Sequence, residues 1–421
     1  MSTPLKQREI SPPGMSSVRR HERVLDEAAR QLNAKGVSLT SLTEIAEQLG
    51  ISRAAMYYYV EDREDLVFQC YRRSCEITAR RLSEATREPG TAVEMIKRFV
   101  ERMLDPNEAE LAARAEIAMM TPEQRDTIQG LYDGLAARLA HLLATGQREG
   151  LIRECDIEAN ARIILSLVTW APLARPWSQS YGAMGQERLL NAVLATIFDG
   201  LGRERVLPNY EVFDLSSLCI RTGAVFDRDA ISEAKRETLV SVASRLFNRK
   251  GVDATSLEEI AAQVGATKRT LHRHLGSKQE LIGACYERAF KIFLYIKDAM
   301  TSHAGTRLDA LASAMYALAI AYPREDLSPL SPLVGFDALS QTAQEKFKQD
   351  SISLANGYND TLRQGMSEGS IREIDLEPRA MLLPGLLSWL VKDDVPADDE
   401  RRRHIAGEIA NLVAIGLATD G

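Results

Sequence analysis

The chain lacks the long apolar segment that a membrane span requires. A transmembrane helix needs about 20 consecutive apolar residues, and the nearest candidate, AMLLPGLLSWLV at 380–391, is shorter and contains Pro384. The N-terminal stretch MSTPLKQREISPPGMSSVRR has no apolar core of the kind that a signal peptide carries. From these absences we expect a cytoplasmic protein without a membrane partner.

Cysteine is scarce and is not arranged for metal binding. The 421 residues include five cysteines, with no C-x-x-C pair and no cluster of histidines beside them. Zinc sites commonly use such pairs at short spacing. We therefore expect reduced thiols, no bound metal and no cofactor.

The sequence also has no excess of positive charge and no catalytic motif. Lys and Arg together number 52, against 59 Asp and Glu, and the net charge is −7. A surface for nucleic acid would therefore have to be local. No nucleophile motif, Gly-rich phosphate loop or metal-ligand spacing is present, so we expect a protein that is not an enzyme.

The chain does contain the same module twice. Residues 40–66 read TSLTEIAEQLGISRAAMYYYVEDREDL, and residues 255–281, in register and 215 positions later, read TSLEEIAAQVGATKRTLHRHLGSKQEL. Farther along, GQREGLIRECDIEANA at 146–161 matches GMSEGSIREIDLEPRA at 365–380, at an offset of 219. Small insertions in the loops explain why the offset between the two copies changes from 215 to 219. The pattern indicates one ancestral unit of about half the chain, duplicated and fused, because solenoid repeats are far shorter.

Both copies have the periodicity of helices rather than strands. Near the end of the first copy, Leu190, Val193, Leu194 and Ile197 fall at i, i+3, i+4 and i+7, which forms one apolar stripe. No alternating strand pattern or hairpin signal stands out. We predict an all-α fold with roughly nine helices in each copy.

Each quoted module is predicted to fold into short helices around a glycine turn. Thr255-x-x-Glu258 has the pattern of a capping box, which starts a helix, and Thr40 holds the same place in the first copy. Gly50 and Gly265 suit the left-handed turn that ends this helix. A helix, a tight turn and a short second helix are typical of a helix-turn-helix motif, in which the second helix enters the DNA major groove.

The residues that we expect to contact DNA lie on and beside the second helix. Cations, hydroxyls and imidazoles suit phosphates and base edges, and alanine suits a thymine methyl group. In the first copy they are Thr40, Ser52, Arg53, Ala54, Tyr57, Tyr58, Tyr59 and Arg63, and in the second they are Thr255, Thr267, Lys268, Arg269, Thr270, His272, Arg273, His274 and Lys278. The tyrosines have packing as an alternative role, but one helix face cannot bury all three rings.

The two modules differ most at this helix, where AAMYYYVED stands against RTLHRHLGS. Formal charges cancel between Ile51 and Arg63, whereas they sum to +4 between Ala266 and Lys278. Phosphate neutralisation supplies much of DNA affinity. We hypothesise that the second module is the stronger anchor, and that the first relies on hydrogen bonds and on a basic N-terminal arm that carries Lys6, Arg8, Arg19, Arg20 and Arg23.

The modules resemble the TetR (tetracycline-repressor-like) family of bacterial transcriptional regulators, whose pattern is T-S-x-x-x-I-A-x-x-x-G-V-S-x-x-x-L-Y-x-Y-F-x-S-K-E-x-L. The first copy matches through Thr40, Ser41, Ile45, Ala46, Gly50, Ser52, Tyr57, Tyr59, Glu64 and Leu66, and the second through Thr255, Ser256, Ile260, Ala261, Gly265, Leu271, Ser277, Lys278 and Leu281. The resemblance implies a three-helix DNA-binding part, then a helical domain that binds a small effector and dimerises through its last two helices. It also implies that the effector releases the operator. His272 departs from the family pattern, which has a phosphate-contacting tyrosine there, as at Tyr57.

We therefore expect two tandem TetR-like units. The predicted boundaries are a disordered arm at 1–17, helix-turn-helix domains at 18–66 and 231–281, helical effector and dimerisation domains at 67–205 and 282–421, and a packed linker at 206–230. The expected function is a sequence-specific transcriptional regulator, most simply a repressor, in which 162–201 packs on 378–418 as an intramolecular pseudo-dimer. One alternative is a dimer of fused chains. Another is a ligand- or protein-binding regulator that has lost operator binding, which Glu61 and Asp62 in the first module would favour.

The effector is the least specified partner. Apolar helices carry Met119, Met120, Trp170, Trp177 and Trp389, which we take as candidate effector contacts for an apolar or amphipathic molecule. Packing in the core is the alternative, and the equivalent positions of Trp170 and Trp389 favour a shared structural role. One copy without a pocket is consistent with the same residues.

Overall fold

The computed structural model describes residues 15–114, 117, 120–178, 185–219, 228–392 and 398–419. These residues contain sixteen α-helices, eight in each half, one fewer per copy than the sequence suggested. Within the described ranges, extended pairing is limited to two isolated β-bridges. The prediction of an all-α protein with two tandem units is confirmed.

The two halves have the same order of helices. The first contains α1 (Met15–Leu39), α2 (Leu42–Gln48), α3 (Arg53–Met56), α4 (Arg63–Arg87), α5 (Ala92–Leu104), α6 (Pro122–Arg148), α7 (Ile157–Ser178) and α8 (Gln186–Phe198). The second contains α9 (Arg228–Lys250), α10 (Leu257–Gln263), α11 (Lys268–Leu275), α12 (Lys278–Thr301), α13 (Arg307–Ala321), α14 (Gln341–Glu368), α15 (Leu376–Leu387) and α16 (Asp399–Ile415). We call these halves the first unit and the second unit.

The buried side chains form three clusters. One cluster lies inside the first helix-turn-helix module and one inside the second. The third combines α4–α8 with α12–α16, so the two C-terminal helical domains share a single core. The apolar stripes that each unit alone would expose are thus buried against the other unit. Burial of apolar surface is the largest stabilising term available to such helices.

The ends of the two units cross each other in a reciprocal pattern. The Leu417 amide donates to the Ile197 carbonyl at 2.9 Å, and the equivalent Leu201 amide donates to the Val413 carbonyl at 2.8 Å. The two β-bridges, Ile152 with Ala418 and Gly202 with Ile371, repeat the relation. Paired contacts of this kind are those of an isologous two-fold interface, here formed within one chain.

Two glycines make this crossing possible. Gly200 and Gly416 have positive φ angles of 67° and 63°. A Cβ atom on Gly200 would lie 2.5 Å from the carbonyl oxygen of Ala414, and one on Gly416 would lie 2.4 Å from the carbonyl group of Phe198. The backbones therefore approach closer than any side chain permits, and glycine is required at both positions.

Polar contacts add to the interface between the units. Asp156, directly before α7, accepts hydrogen bonds from Arg401 and from His404 of α16. Burial of this carboxyl opposes its ionisation, but the Ala159 amide and the Arg401 guanidinium outweigh it, so the pKa of Asp156 lies below its usual range. On the other side of the pseudo-axis, Arg188 of α8 contacts two acidic side chains that begin α15.

The segment that joins the units lies on the second one. The backbone amides of Asn209 and Glu211 donate to Asp309 and Ser313 of α13 at 2.7 and 2.8 Å. Between them, the ring of Tyr210 stacks on Tyr316 at 5.0 Å. The described part of the joint is therefore a surface strap of the second unit.

Candidate nucleic-acid interface and effector cavities

The first module presents a short helix with an exposed face. The Ser52 hydroxyl caps α3 by accepting from the Ala55 amide at 3.1 Å. Tyr57 and Tyr58 directly after α3 are 47% and 74% exposed. Tyr59 is half-buried and stacks on the ring of His21. Two of the three tyrosines thus face solvent beside the exposed side chains of Arg53 and Ala54.

The second module places a longer helix in the equivalent position. Thr267 caps α11, and Leu271 and Leu275 bury one face of this helix in the module's core. The opposite face exposes Thr267, Lys268, Arg269, His272 and Arg273, while Thr270, His274 and Lys278 are half-buried. Gly50 and Gly265 both have a φ of 64°, as the predicted turns require.

The charge of the second module is lower than the local sequence suggests. The ammonium of Lys268 lies 2.5 Å from the carboxylate of Glu258 in α10, a residue outside the stretch over which the four cations were counted. The hydrogen bond from Lys268 lowers the pKa of Glu258, which therefore stays ionised. In the first module, Arg63 lies 3.7 Å from the carboxylate of Asp253 in the other unit.

Two predicted DNA contacts occupy buried positions instead. Thr40 and Thr255 were expected to cap the first helix of each module, but the caps are Ser41 and Ser256. The threonines are 3% and 0% exposed. Their hydroxyls donate to glycine carbonyls four residues earlier, at 2.7 and 2.8 Å. The cap prediction was one residue off, and neither threonine lies on the exposed face of its module.

A large apolar cavity lies in the second unit. Its volume is about 270 Å³, and helices α12–α15 provide most of its wall. Aromatic and aliphatic side chains line it, among them Phe290, Phe293, Met315, Leu354 and Met381. Trp170 of α7 in the first unit completes the wall, and its indole N–H donates to the Met381 carbonyl at 2.8 Å.

The first unit has a much smaller cavity at the equivalent place. Its volume is about 70 Å³, and its wall includes Tyr71, Cys75, Thr78 and Tyr132. Trp389 of the second unit contributes to this wall, as Trp170 does to the larger cavity. The two cavities are thus related by the same pseudo-symmetry as the interface.

The predicted effector contacts are only partly brought together. Trp170 lines both cavities and Trp389 lines the smaller one. Met120 is 3% exposed, packs in the core of the first module and is not among the residues that line either cavity. Met119 and the side chain of Trp177 lie outside the described residues.

The aromatic wall that α12 gives the larger cavity was not predicted from the sequence. The available signal was the run FKIFLY at 290–295, because the first copy has CEITAR at the equivalent 75–80. Two phenylalanines in place of a cysteine and a threonine mark a divergence in the C-terminal helical domain like that between α3 and α11.

Metal sites and membrane spans are absent from the described part of the chain. No group of three or more His, Cys, Asp or Glu side chains there is placed to hold a metal ion. No helix within the same ranges has the length and apolar character to cross a membrane.

Family models match both modules and one helical domain. Residues 24–70 and 239–285 match the model described as bacterial regulatory proteins, tetR family. Residues 93–201 match the model described as tetracyclin repressor-like, C-terminal domain.

Individual relatives are distant. The HTH-type transcriptional regulator AcrR of Shigella flexneri is 26% identical over 136 residues, which are 29% of this chain and 63% of AcrR, less than two thirds of its length. The fatty acid metabolism regulator protein of Bacillus subtilis (strain 168) is 20% identical over 187 residues, 43% of this chain and 95% of that protein. The solved structure of the TetR family transcriptional regulator PfmR from Thermus thermophilus is 25% identical, with a TM-score of 0.37 over 42% of this chain and 97% of PfmR.

Proposed function

Because the chain belongs to the TetR family of bacterial regulatory proteins, as a tandem fusion of two units, we propose that it is a sequence-specific DNA-binding repressor which a small molecule releases from its operator. The observation that carries the proposal is the pair of helix-turn-helix modules, each with a second helix whose polar face is exposed. Its place of action would be the cytoplasm, where operator DNA lies. The named relatives are regulators rather than enzymes.

The proposed DNA surface combines both modules. In the first it comprises Ser52, Arg53, Ala54, Tyr57, Tyr58, Tyr59 and Arg63, and in the second Thr267, Lys268, Arg269, Thr270, His272, Arg273, His274 and Lys278. Cationic side chains would neutralise phosphates, and tyrosine hydroxyls would donate to them. Bases would be read by the N-terminal residues of α3 and α11, since these end positions reach furthest into the groove.

We propose that one chain acts as an intramolecular pseudo-dimer. The shared core and the reciprocal hydrogen bonds at Leu201 and Leu417 support this arrangement. A dimeric helix-turn-helix protein places its recognition helices about 34 Å apart, one turn of DNA. Fusion makes the second half-site contact intramolecular, and divergent recognition helices allow an operator without a palindrome. Native mass spectrometry separates this proposal from a dimer of fused chains. The pseudo-dimer requires a species of 46.7 kDa, the mass of one chain.

The acidic residues of the first module have a structural role that weakens the competing interpretation. Asp62 caps α4 by accepting from the Asp65 amide at 2.8 Å. Asp65 in turn accepts from the Glu61 amide at 2.9 Å. The carboxylate of Asp62 therefore stabilises a helix start, and by itself does not indicate that operator binding was lost.

Selection of bound fragments from a random double-stranded DNA pool tests the proposal. We expect one enriched site with two unlike half-sites, bound by single chains. Arg53→Ala should weaken binding at one half-site and Arg269→Ala at the other, each by about 1–3 kcal/mol if the residue contacts a base. Lys97→Ala, on α5 and away from both modules, is the control. Failure to enrich any sequence would favour a regulator without operator binding.

A further inference from the structure

The two equivalent cavities differ enough in size to decide whether a ligand fits. The cavity of the second unit measures about 270 Å³ and its counterpart in the first about 70 Å³. In another protein, an apolar cavity of about 150 Å³ binds benzene. The larger cavity exceeds this reference, and the smaller one is less than half of it.

A difference in sequence between the copies accounts for the smaller volume of the cavity in the first unit. Tyr132 of α6 stands where α14 has Ser351, and both residues line their own unit's cavity. The guanidinium of Arg114, which also lines the smaller cavity, lies 3.9 Å from the centroid of the Tyr132 ring. A stacked ring and guanidinium thus fill volume that a serine leaves open.

The wall of the larger cavity also carries a hydrogen-bond acceptor without a partner. Asn359 lines it, is 9% exposed, and has a side-chain oxygen without a hydrogen-bond partner among the described residues. Buried polar atoms are nearly always satisfied, so this oxygen is a point at which a ligand would donate. The equivalent residue of the first unit is Ala140, which offers no such group.

The wall of this cavity reaches across the interface between the units. Trp170 belongs to the first unit, and its indole N–H donates a hydrogen bond to the Met381 carbonyl of the second unit. Gly385 of α15 packs so closely on Trp170 that a Cβ atom there would lie 2.9 Å from the indole. A ligand in the cavity would therefore contact Trp170, the side chain through which α7 packs on α15.

From these observations we infer that the fused chain takes up one effector molecule, in the second unit only, and that this molecule is apolar with one hydrogen-bond donor that meets Asn359. The first unit serves the site in trans through Trp170. The inference rests on the proposed function, since it specifies how the regulator senses its effector. It predicts one ligand per chain, where a symmetric pair of pockets would bind two.

Calorimetric titration with octan-1-ol, an apolar chain with one hydroxyl, tests the inference on the full chain without DNA. We expect one equivalent bound, together with a change in tryptophan fluorescence that Trp170→Phe removes. Ser351→Tyr, which copies the first unit, should weaken binding by about tenfold or more, roughly the loss of 1.4 kcal/mol. Tyr132→Ser is the matched control, and it should leave unchanged the affinity for the octan-1-ol molecule that binds in the second unit.

Asn359→Leu gives a second, independent variant. It should weaken binding of octan-1-ol but not of 1-chlorooctane, which has no hydroxyl to donate. Two equivalents in the wild-type chain, no binding of octan-1-ol, or full binding by a folded Ser351→Tyr would each overturn the inference. Should Ser351→Tyr not fold, the two-probe comparison with Asn359→Leu decides. Because no DNA is present, these outcomes are independent of whether the chain binds an operator.

Discussion

Replacement of Gly416 by alanine should destabilise the protein far more than replacement of Gly265, although the two glycines have nearly the same φ, 63° and 64°. A positive φ costs a non-glycine residue about 1–2 kcal/mol in the left-handed helical region. Gly416, with a ψ of −161°, lies outside that region in one that is essentially restricted to glycine, where the strain is about 1–3 kcal/mol. At Gly265 nothing lies within 4 Å of the added Cβ atom, so the strain of the positive φ is the whole cost. At Gly416 the Cβ atom would meet the carbonyl group of Phe198 at 2.4 Å.

The clash at Gly416 adds two further costs. The backbones must separate, which lengthens the hydrogen bonds from Leu417 to Ile197 and from Ala418 to Phe198, each now 2.9 Å. Two such bonds contribute about 2 kcal/mol together, and overpacking costs about 1–3 kcal/mol. We therefore expect Gly416→Ala to lose about 3–5 kcal/mol more than Gly265→Ala.

Urea denaturation followed by circular dichroism and by tryptophan fluorescence measures this difference. The free energies of unfolding of the two variants are compared with that of the wild-type chain, with slopes checked for a common transition. Gly200→Ala should behave like Gly416→Ala, because its Cβ atom would also meet backbone of the other unit. Losses within about 1 kcal/mol of each other for Gly265→Ala and Gly416→Ala would refute the packing described for the crossing.

Three further outcomes are expected. Arg273→Ala should reduce the slope of log affinity for DNA against log salt by about 0.9, the value for one phosphate contact, because this exposed cation lies beyond the base-reading end of α11. Lys268→Ala should reduce the slope less, because an acidic neighbour already neutralises that ammonium; equal reductions would contradict the ion pair. Since the pKa of Asp156 is depressed in the folded state, its contribution is present above the unfolded pKa of about 3.9 and is lost as pH falls through the folded value. Asp156→Asn should accordingly lower the urea midpoint at pH 7, with a smaller difference near pH 3, and a constant difference would argue against the assignment. Burial raises the pKa of the thiols of Cys70 and Cys285 to about 12, so iodoacetamide at pH 8 should label them only after denaturation, as peptide mass spectrometry can show.

The modules could be predicted from the sequence because local rules determine them. Caps such as Ser52 and Thr267, and the glycine turns at Gly50 and Gly265, act over a few residues and so leave a pattern that can be read directly. The error at Thr40 and Thr255 has the same origin. A threonine next to a serine offers two candidate caps, and only the burial of the threonine, a tertiary effect, decides between them.

The cavities and the charge balance could not be predicted in this way. The partner of Lys268 lies on the preceding helix, so a count along α11 could not include it. The wall of the larger cavity combines α12–α15 with Trp170 from the other half of the chain. Such a site depends on how helices pack, and the sequence shows only a hint of it in the phenylalanines at 290 and 293.

The reciprocal crossing near Gly200 and Gly416 has a consequence for how this protein can change through time. In an assembly of identical subunits, a single mutation alters both sides of the symmetry axis at once. Here each side is encoded by its own codons, so one side can vary while the other keeps the fold intact. Arg379 shows that such variation is compatible with the shared core, because it replaces the amide of Asn160 with a buried guanidinium bonded to Thr196. Inheritance of the two halves in one gene thus permits stepwise asymmetry that a dimer of identical chains cannot reach.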